Sequence, residues 1–287
     1  MKILVFGATG QVALELQRRA GSHEIEAIGR EVADFADPDA CAAMIEKTDA
    51  RAVINAAAYT AVDKAENEED MAMLVNGETP GAIARAAARR GLPLVHISTD
   101  YVFDGEGDTP FTADHPTGPL GAYGRTKLAG ENFVRAAGGA HAILRTSWVV
   151  SSHGGNFVKT MLRLGGERDK LTIVADQVGG PTCAAHIADA CLTIAEQLVT
   201  DPKKSGSYHF SGAPDVSWAD FARKIFSLSG TECDVVDIPT TAYPTPAKRP
   251  LNSRLDNRAT EAAFGITRPD WRLGLKDILS ELGALKA

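Results

Sequence analysis

Short apolar runs alternate with helical stretches over the first 150 residues of the chain. The first run, Lys2–Phe6, is continuously apolar, which is typical of a parallel strand covered on both faces, and the stretch that follows it is rich in good helix formers. The predicted strands are Lys2–Phe6, Glu24–Ile28, Ala52–Asn55, 94–98 and 142–145, and the predicted helices are 11–20, Pro38–Lys47, 81–90 and 123–137. This alternation predicts an α/β fold with a doubly wound parallel sheet.

The pattern loosens after residue 150. Helices are predicted at 156–164, 187–198 and 218–228, separated by turn-rich segments at 176–182 and 239–250. Because no Gly/Ser linker intervenes, we expect a smaller, mixed α/β lobe folded onto the sheet. We therefore divide the chain into a first domain at 1–150, completed by a segment near 183–200, and a second lobe at 151–287.

Composition narrows the classes of protein. The 287 residues carry a formal net charge of −7, so no basic surplus is available for a nucleic-acid partner. The four cysteines are widely spaced, which fits neither a disulfide framework nor a zinc site. The apolar run at the N-terminus is too short for a signal peptide or a membrane span, so we expect a cytoplasmic protein without a membrane partner.

A glycine-containing turn joins the first strand to the first helix. It includes Gly7, Gly10, Gln11, Val12 and Ala13 and matches G-x-x-G-x-x-A. Gly7 permits the tight turn, Gly10 lets the backbone approach a pyrophosphate, and the helix N-terminus attracts the anion. The pattern favours a Rossmann-like dinucleotide site over a plain strand–helix turn, which makes 1–150 the dinucleotide-binding domain and 151–287 mainly the substrate-binding lobe.

The end of the second strand bears on cofactor choice. Gly29 and Arg30 stand where an acidic residue would bind a ribose 2′-hydroxyl, and Arg30 could bind a 2′-phosphate instead. We therefore expect NADPH, with NADH as the alternative if Arg30 is only a solvated loop residue. Further cofactor contacts are expected at Asp34, Phe35, Ala56, Ala57 and Tyr59.

A tyrosine and a lysine stand four residues apart in the helix predicted at 123–137. Tyr123 and Lys127 would project from one face, and a nearby lysine charge favours the phenolate. Thr99 follows the strand predicted at 94–98, at the edge where α/β folds bind ligands. These positions predict a site for carbonyl reduction. The alternatives are that Tyr123 and Lys127 are an exposed pair without a function, and that the Thr99 hydroxyl only hydrogen-bonds a backbone group.

Longer motifs carry a resemblance to a known family. They are STDYVFDG from Ser98, YGRTKLAGE from Tyr123, RTSWV from Arg145, NFVKTMLRL from Asn156, NAAAYTAVDKAE from Asn55, DQVGGPT from Asp176 and AYPTPAKRPLNSRLD from Ala242. Together they resemble the extended short-chain dehydrogenase/reductases and, more narrowly, the dTDP-4-dehydrorhamnose reductases. The resemblance covers nearly the whole chain.

The resemblance implies reduction of the 4-keto group of dTDP-4-dehydrorhamnose to dTDP-L-rhamnose. It implies that Tyr123 is the general acid, that Lys127 binds the nicotinamide ribose and tunes Tyr123, and that Thr99 binds the substrate oxygen. Other substrate-binding residues are expected at Val62, Asp100, Tyr101, Trp148, Asn156, Arg249 and Ser253. By residue type alone, Trp148 would be a core aromatic residue and Arg249 a solvated loop charge.

Some members of the family carry glutamates that bind magnesium at a dimer interface. Glu15 and Glu281 occupy two of those positions, but Ala184 and Ala185 fill the third. Because magnesium prefers several hard oxygen ligands, we expect no firm metal site and a monomer or weak homodimer.

Two alternatives to this function remain. One is another nucleotide-sugar reductase or an epimerase that retains its cofactor tightly. The other is a non-catalytic regulatory subunit, such as that of methionine adenosyltransferase, which would not need Thr99, Tyr123 and Lys127.

Overall fold

The computed structural model describes residues 1–286. Ala287, the last residue of the predicted second lobe, lies outside them. The strands are β1 Lys2–Phe6, β2 Glu24–Ile28, β3 Ala52–Asn55, β4 Leu94–Thr99, β5 His141–Thr146, β6 Val149–Val150, β7 Lys170–Val174, β8 Val178–Gly179, β9 Thr182–Cys183, β10 Gly206–His209, β11 Val216–Ser217, β12 Asp234–Ile238 and β13 Asn252–Ser253. The helices are α1 Gln11–Arg18, α2 Pro38–Lys47, α3 Val62–Ala65, α4 Glu69–Met73, α5 Thr79–Arg90, α6 Ala122–Ala136, α7 Phe157–Glu167, α8 Ala184–Thr200, α9 Trp218–Ser229, α10 Arg258–Phe264 and α11 Trp271–Glu281.

A six-stranded parallel sheet in the order β10-β5-β4-β3-β1-β2 forms the centre of the molecule. Residues of α1 and α8 pack on one face, among them Leu16 and Ile187. Residues of α2, α5 and α6 pack on the other, among them Ile45, Ile83 and Val134. Helices thus cover both faces of the sheet, as buried apolar strands require. The predicted doubly wound α/β fold is confirmed.

The sixth strand comes from beyond residue 150. The predicted completing segment, near 183–200, corresponds to α8, and β10 follows it and pairs with β5. Sequence analysis did not predict β10, since Gly206–His209 lacks a continuous apolar run. The domain boundary at residue 150 stays a prediction.

The remaining strands form three small sheets. Their orders are β11-β8-β13, β12-β7 and β6-β9, and several of the strands have only two residues. Around them α7, α9 and α11 share a separate core that includes Phe221 and Trp271. The segment predicted as turn-rich at 176–182 thus contains β8, a strand too short to show a period of two, whereas 239–250 lies between β12 and β13. Along residues 1–286, no helix combines the length and the apolar character needed to cross a membrane.

Candidate active site

The turn between β1 and α1 leaves room for a ligand beside the backbone. Gly7 has a φ of +109°, and a Cβ added there would lie 3.3 Å from the carbonyl carbon of Ala56. Gly10 precedes α1 without a side-chain cap on the helix, while Ala13 is buried. A left-handed glycine, a close neighbouring strand end and an uncapped helix N-terminus are features that a pyrophosphate-binding turn needs. These residues therefore fit a dinucleotide.

The loop after β2 contains the residues predicted to choose the cofactor. Arg30 is exposed and donates through Nε to Asp34 Oδ2 over 3.1 Å. Phe35 is buried and packs edge-on against Phe6, with ring centroids 5.7 Å apart. The Arg30 guanidinium is available at the surface, whereas the Phe35 ring belongs to the hydrophobic core.

The loop after β3 is held by residues that sequence analysis did not single out. The Asn55 side chain accepts from the Ala57 amide over 3.1 Å. The buried Asn76 accepts from the Tyr59 amide over 2.8 Å and donates to the Tyr59 carbonyl over 3.1 Å. These side-chain amides replace backbone partners that an irregular loop lacks, and so hold Ala56, Ala57 and Tyr59 beside the glycine turn.

The three predicted catalytic residues come together at the end of β4. The hydroxyls of Thr99 and Tyr123 lie near each other. Thr99 Oγ1 donates to Asp100 Oδ1 over 3.0 Å. Lys127, one turn after Tyr123 on α6, donates from Nζ to the Ile97 carbonyl over 2.7 Å. A strand end and one helix face therefore form a compact cluster of polar groups.

Burial governs the ionisation of this cluster. It raises the pKa of Tyr123 above its ordinary range, and the nearby Thr99 hydroxyl opposes that rise. It lowers the pKa of Lys127 to about 8. Both shifts have one cause, since a buried environment disfavours whichever form is charged. Tyr123 is therefore a neutral proton donor at pH 7, and burial affects its pKa more than Lys127 does.

Asp100 is a buried carboxyl beside Thr99. Burial raises its pKa to about 6, while hydrogen bonds with Ser253 and Thr99 oppose the rise. Ser253 belongs to β13, so this contact joins the second lobe to the end of β4. Predicted residues from distant parts of the sequence thus lie together here.

The segment around Arg249 is tied to α3. Arg249 Nη2 donates to Asp63 Oδ2 over 2.7 Å, and the Ala247 amide donates to Asp63 Oδ1 over 3.1 Å. Arg249 also lies near the hydroxyl of Tyr101, whose pKa burial raises to about 12 while the Arg249 charge opposes the rise. Val62 adjoins Asp63 at the start of α3. Asp63 lies in a motif that sequence analysis quoted, but only its contact with Arg249 reveals what it does.

Trp148 and Asn156 have structural partners of their own. Trp148 has a φ of +49° and stacks on Trp218, with ring centroids 3.5 Å apart. Asn156 caps α7 by accepting from the Lys159 amide, and it donates to Gln11 Oε1 over 3.0 Å. Asn156 therefore links the second lobe to the glycine turn. Val12, the neighbour of Gln11, packs against the core of the sheet.

Glu15 and Glu281 both line a cavity of about 400 Å³, and Arg18 contacts both of them. Glu281 accepts from Arg18 Nη2 and from Ser152 Oγ, each over 2.6 Å. Glu15 Oε1 lies 2.9 Å from His153 Nε2, whereas the buried Glu15 Oε2 has no hydrogen-bond partner and lies 3.5 Å from Arg18 Nε. Within residues 1–286 no three metal-binding side chains are grouped for an ion. These residues fit magnesium poorly, because a guanidinium stands beside both carboxylates and three of their four oxygens already have protein donors.

Comparison with known proteins agrees with this geometry. The family described as the RmlD substrate binding domain matches residues 1–284. The chain is 42% identical to the dTDP-4-dehydrorhamnose reductase of Shigella flexneri, over 98% of both chains. The Clostridium acetobutylicum dTDP-4-dehydrorhamnose reductase structure is 38% identical with a TM-score of 0.92, covering 99% of this chain and 100% of that one. The Bacillus anthracis dTDP-4-dehydrorhamnose reductase, solved in complex with NADP, is 33% identical with a TM-score of 0.90, covering 98% of this chain and 99% of that one. The family resemblance predicted from the motifs is confirmed, and the chain belongs to the dTDP-4-dehydrorhamnose reductase family.

Proposed function

We propose that this protein reduces the 4-keto group of dTDP-4-dehydrorhamnose to the alcohol of dTDP-L-rhamnose, with NADPH as the reductant. The cluster of Thr99, Tyr123 and Lys127 carries the proposal, because it lies at the same carboxyl edge of the parallel sheet as the glycine turn, and carbonyl reduction needs a proton donor next to a dinucleotide. The names of the relatives support the substrate. The relative solved with NADP supports the cofactor.

The chain's residues divide the work of this reaction. Bound NADPH supplies the hydride that reduces the carbonyl carbon. Thr99 hydrogen-bonds the carbonyl oxygen and Tyr123 transfers its phenolic proton to it, so that the C=O bond becomes a C–OH group. Lys127 binds the nicotinamide ribose, and its ammonium stabilises the phenolate that the transfer leaves. A proton from solvent then restores Tyr123.

The remaining predicted residues hold the two ligands. The turn at Gly7 and Gly10, with Gln11 and Val12, binds the pyrophosphate of NADPH at the N-terminus of α1. Arg30 binds the 2′-phosphate. The sugar contacts Asp100 and Tyr101, and Arg249 binds the diphosphate of the nucleotide sugar through its guanidinium.

The test is NADPH oxidation with dTDP-6-deoxy-L-lyxo-4-hexulose, compared with the UDP-linked counterpart. We expect turnover with the dTDP sugar and a much lower kcat/KM with the UDP sugar. Purified protein that keeps its cofactor through gel filtration and interconverts sugars without net NADPH loss would favour an epimerase instead. Protein that binds NADPH but turns over neither sugar would favour a regulatory subunit.

A further inference from the structure

Glu131 continues the helix face that carries Tyr123 and Lys127. The three residues are spaced by four along α6, so they lie one above another. The proposed mechanism uses the first two and leaves Glu131 without a role. Its side chain is 0% exposed, which is unusual for a glutamate.

The Glu131 carboxylate has a donor on every side. Arg145 is bidentate, with Nε 2.9 Å from Oε1 and Nη2 2.7 Å from Oε2. Ser98 Oγ donates to Oε1 over 2.6 Å and Arg135 Nη2 to Oε2 over 2.7 Å. Burial would raise the pKa of Glu131, but Arg145, Ser98 and Arg135 together more than offset this, so that the pKa is lowered and the carboxyl stays ionised. A buried carboxylate of this kind persists only with such complete pairing.

These partners tie α6 to the strands beneath it. Ser98 and Arg145 are neighbours across β4 and β5, and Glu131 binds both. Two consecutive residues of β4 therefore each hydrogen-bond one turn of α6: Ile97 accepts from Lys127, and Ser98 donates to Glu131. At the preceding turn the hydroxyls of Thr99 and Tyr123 lie near each other. Hydrogen bonds at two successive turns fix both the rotation and the axial position of the helix.

We propose that Glu131, bound by Ser98 and Arg145, is a positioning residue that holds Lys127 and Tyr123 in register with the end of β4. This inference rests on the proposed function, in which Lys127 binds the ribose and Tyr123 donates the proton. An ion pair that served stability alone could lie anywhere along α6. This one lies one turn beyond Lys127 and bonds the residue next to Thr99.

The same carboxylate acts electrostatically on Lys127. Burial lowers the pKa of Lys127, and the negative charge of Glu131 opposes that shift. Burial keeps His96 on β4 neutral, and the nearby Lys127 charge lowers the pKa of His96 further. Charged groups on the other elements around α6 include Glu66, directly after α3 and bound to the Ala122 amide; Glu69 on α4, bound to Arg125; Glu78, directly before α5; and Arg85 in α5. They also include Asp100 after β4, bound to Thr99, and Arg145 on β5.

The test is a fluorescence titration of NADPH from about pH 6 to about pH 10 on wild type and Glu131→Gln. Wild-type affinity should fall as pH rises through the pKa of Lys127, because the neutral amine binds ribose hydroxyls less well. Glu131→Gln removes the charge that favours the ammonium, so its affinity should begin to fall at lower pH. Glu131→Asp keeps the charge on a shorter side chain, so its affinity should begin to fall at a pH between those of Glu131→Gln and wild type. Glu46→Gln, the same change in an exposed pair with Arg89, should match wild type.

Turnover separates this inference from the proposed function. In Glu131→Gln we expect kcat to fall by up to about 10²-fold at a temperature where the variant is folded, as a small misplacement of catalytic groups would cause. A folded Glu131→Gln with the wild-type pH profile and kcat would overturn the positioning role. Should Glu131→Gln not fold, Ser98→Ala, which keeps the Arg145 pair, should show a smaller shift in the same direction, and a wild-type profile there would also overturn it. Wild type that binds NADPH but reduces neither sugar contradicts only the proposed function.

Discussion

The β4–α6 unit and the segment 244–253 both hold residues of the predicted site but are built differently. In the first, Tyr123 and Lys127 lie on a long helix whose turns are bonded to consecutive residues of a central strand. In the second, Arg249 lies in a turn-rich segment that ends in a two-residue strand and is tied to Asp63 across the fold. The predicted catalytic groups thus stand on regular elements, whereas the residue predicted to bind the diphosphate stands in an irregular segment held by contacts with α3 and with the loop at residues 105–109. Substitutions in the first should lower kcat, and those in the second should raise KM.

Tyr123→Phe should have the largest effect. Removing the proton donor should lower kcat by about 10²- to 10⁴-fold while NADPH binding changes little. Steady-state kinetics and NADPH titration measure the two effects. The control is Tyr208→Phe, which removes a hydroxyl that donates to the Lys204 carbonyl, away from the predicted site residues, and it should retain full kcat. Near-normal turnover in Tyr123→Phe would rule out the assigned role.

Asp100→Asn tests how the buried carboxyl of Asp100, which has no paired cation, makes the free energy of unfolding depend on pH. The folded-state pKa is raised to about 6, above the ordinary value for an unfolded chain, so the folded state binds the proton more tightly. Wild-type free energy of unfolding should therefore fall as pH rises from about 4 to about 6, by on the order of 2 kcal/mol. Asp100→Asn should lose this dependence. Denaturant titrations across that range test it, with the exposed Asp108→Asn as the control. An unchanged pH dependence in Asp100→Asn would contradict the expected effect.

Arg30→Ala should separate the two cofactors. Arg30 belongs to the sheet domain but lies on an exposed loop, so it should affect binding and not chemistry. Loss of a charged hydrogen bond to the 2′-phosphate should weaken NADPH by about 1–3 kcal/mol and leave NADH nearly unchanged. Arg30→Lys should fall between, because lysine lacks the planar fork. Equal losses for both cofactors in binding titrations would show that Arg30 is a loop residue only.

Asp63→Asn should reveal the tie between α3 and the segment 244–253. Without the charge, Arg249 and the Ala247 amide lose an ionic partner, so the diphosphate should bind less well. Because Asp63 is partly exposed, we expect a rise in KM for the nucleotide sugar of only about fivefold, with kcat within about twofold. Asp70→Asn on α4 is the matched control. A fall in kcat with unchanged KM would place Asp63 among the residues that act on the chemistry.

Magnesium should have the smallest effect. The carboxylates of Glu15 and Glu281 already accept from His153, Arg18 and Ser152. We therefore expect a monomer or a weak dimer whose molar mass by light scattering is the same with magnesium and with a chelator. A stable dimer that dissociates on chelation would contradict this expectation.

Local sequence was enough for the parts of the site that are close along the chain. The apolar runs predict β1 and β4, and the spacing of Tyr123 and Lys127 predicts one face of α6, because strand and helix periods are set by the backbone. The glycine turn and Thr99 follow from the same elements. The resemblance of the longer motifs then predicts the family, and with it the residues of the second lobe that are expected to bind the substrate.

Contacts between distant segments required the tertiary structure. No local pattern predicts that Glu131 pairs with Arg145, Arg249 with Asp63, or Trp148 with Trp218. The chain contains other residues of each of these types, and the sequence does not show which of them becomes the partner. β10 joins the sheet although its residues lack an apolar run, because an edge strand needs burial on fewer sides. The sequence by itself determined which residues are candidates for the chemistry. Only the packing of the second lobe and of α6 on the sheet decided what holds them in place, because charge pairing and stacking depend on positions that the chain brings together only when folded.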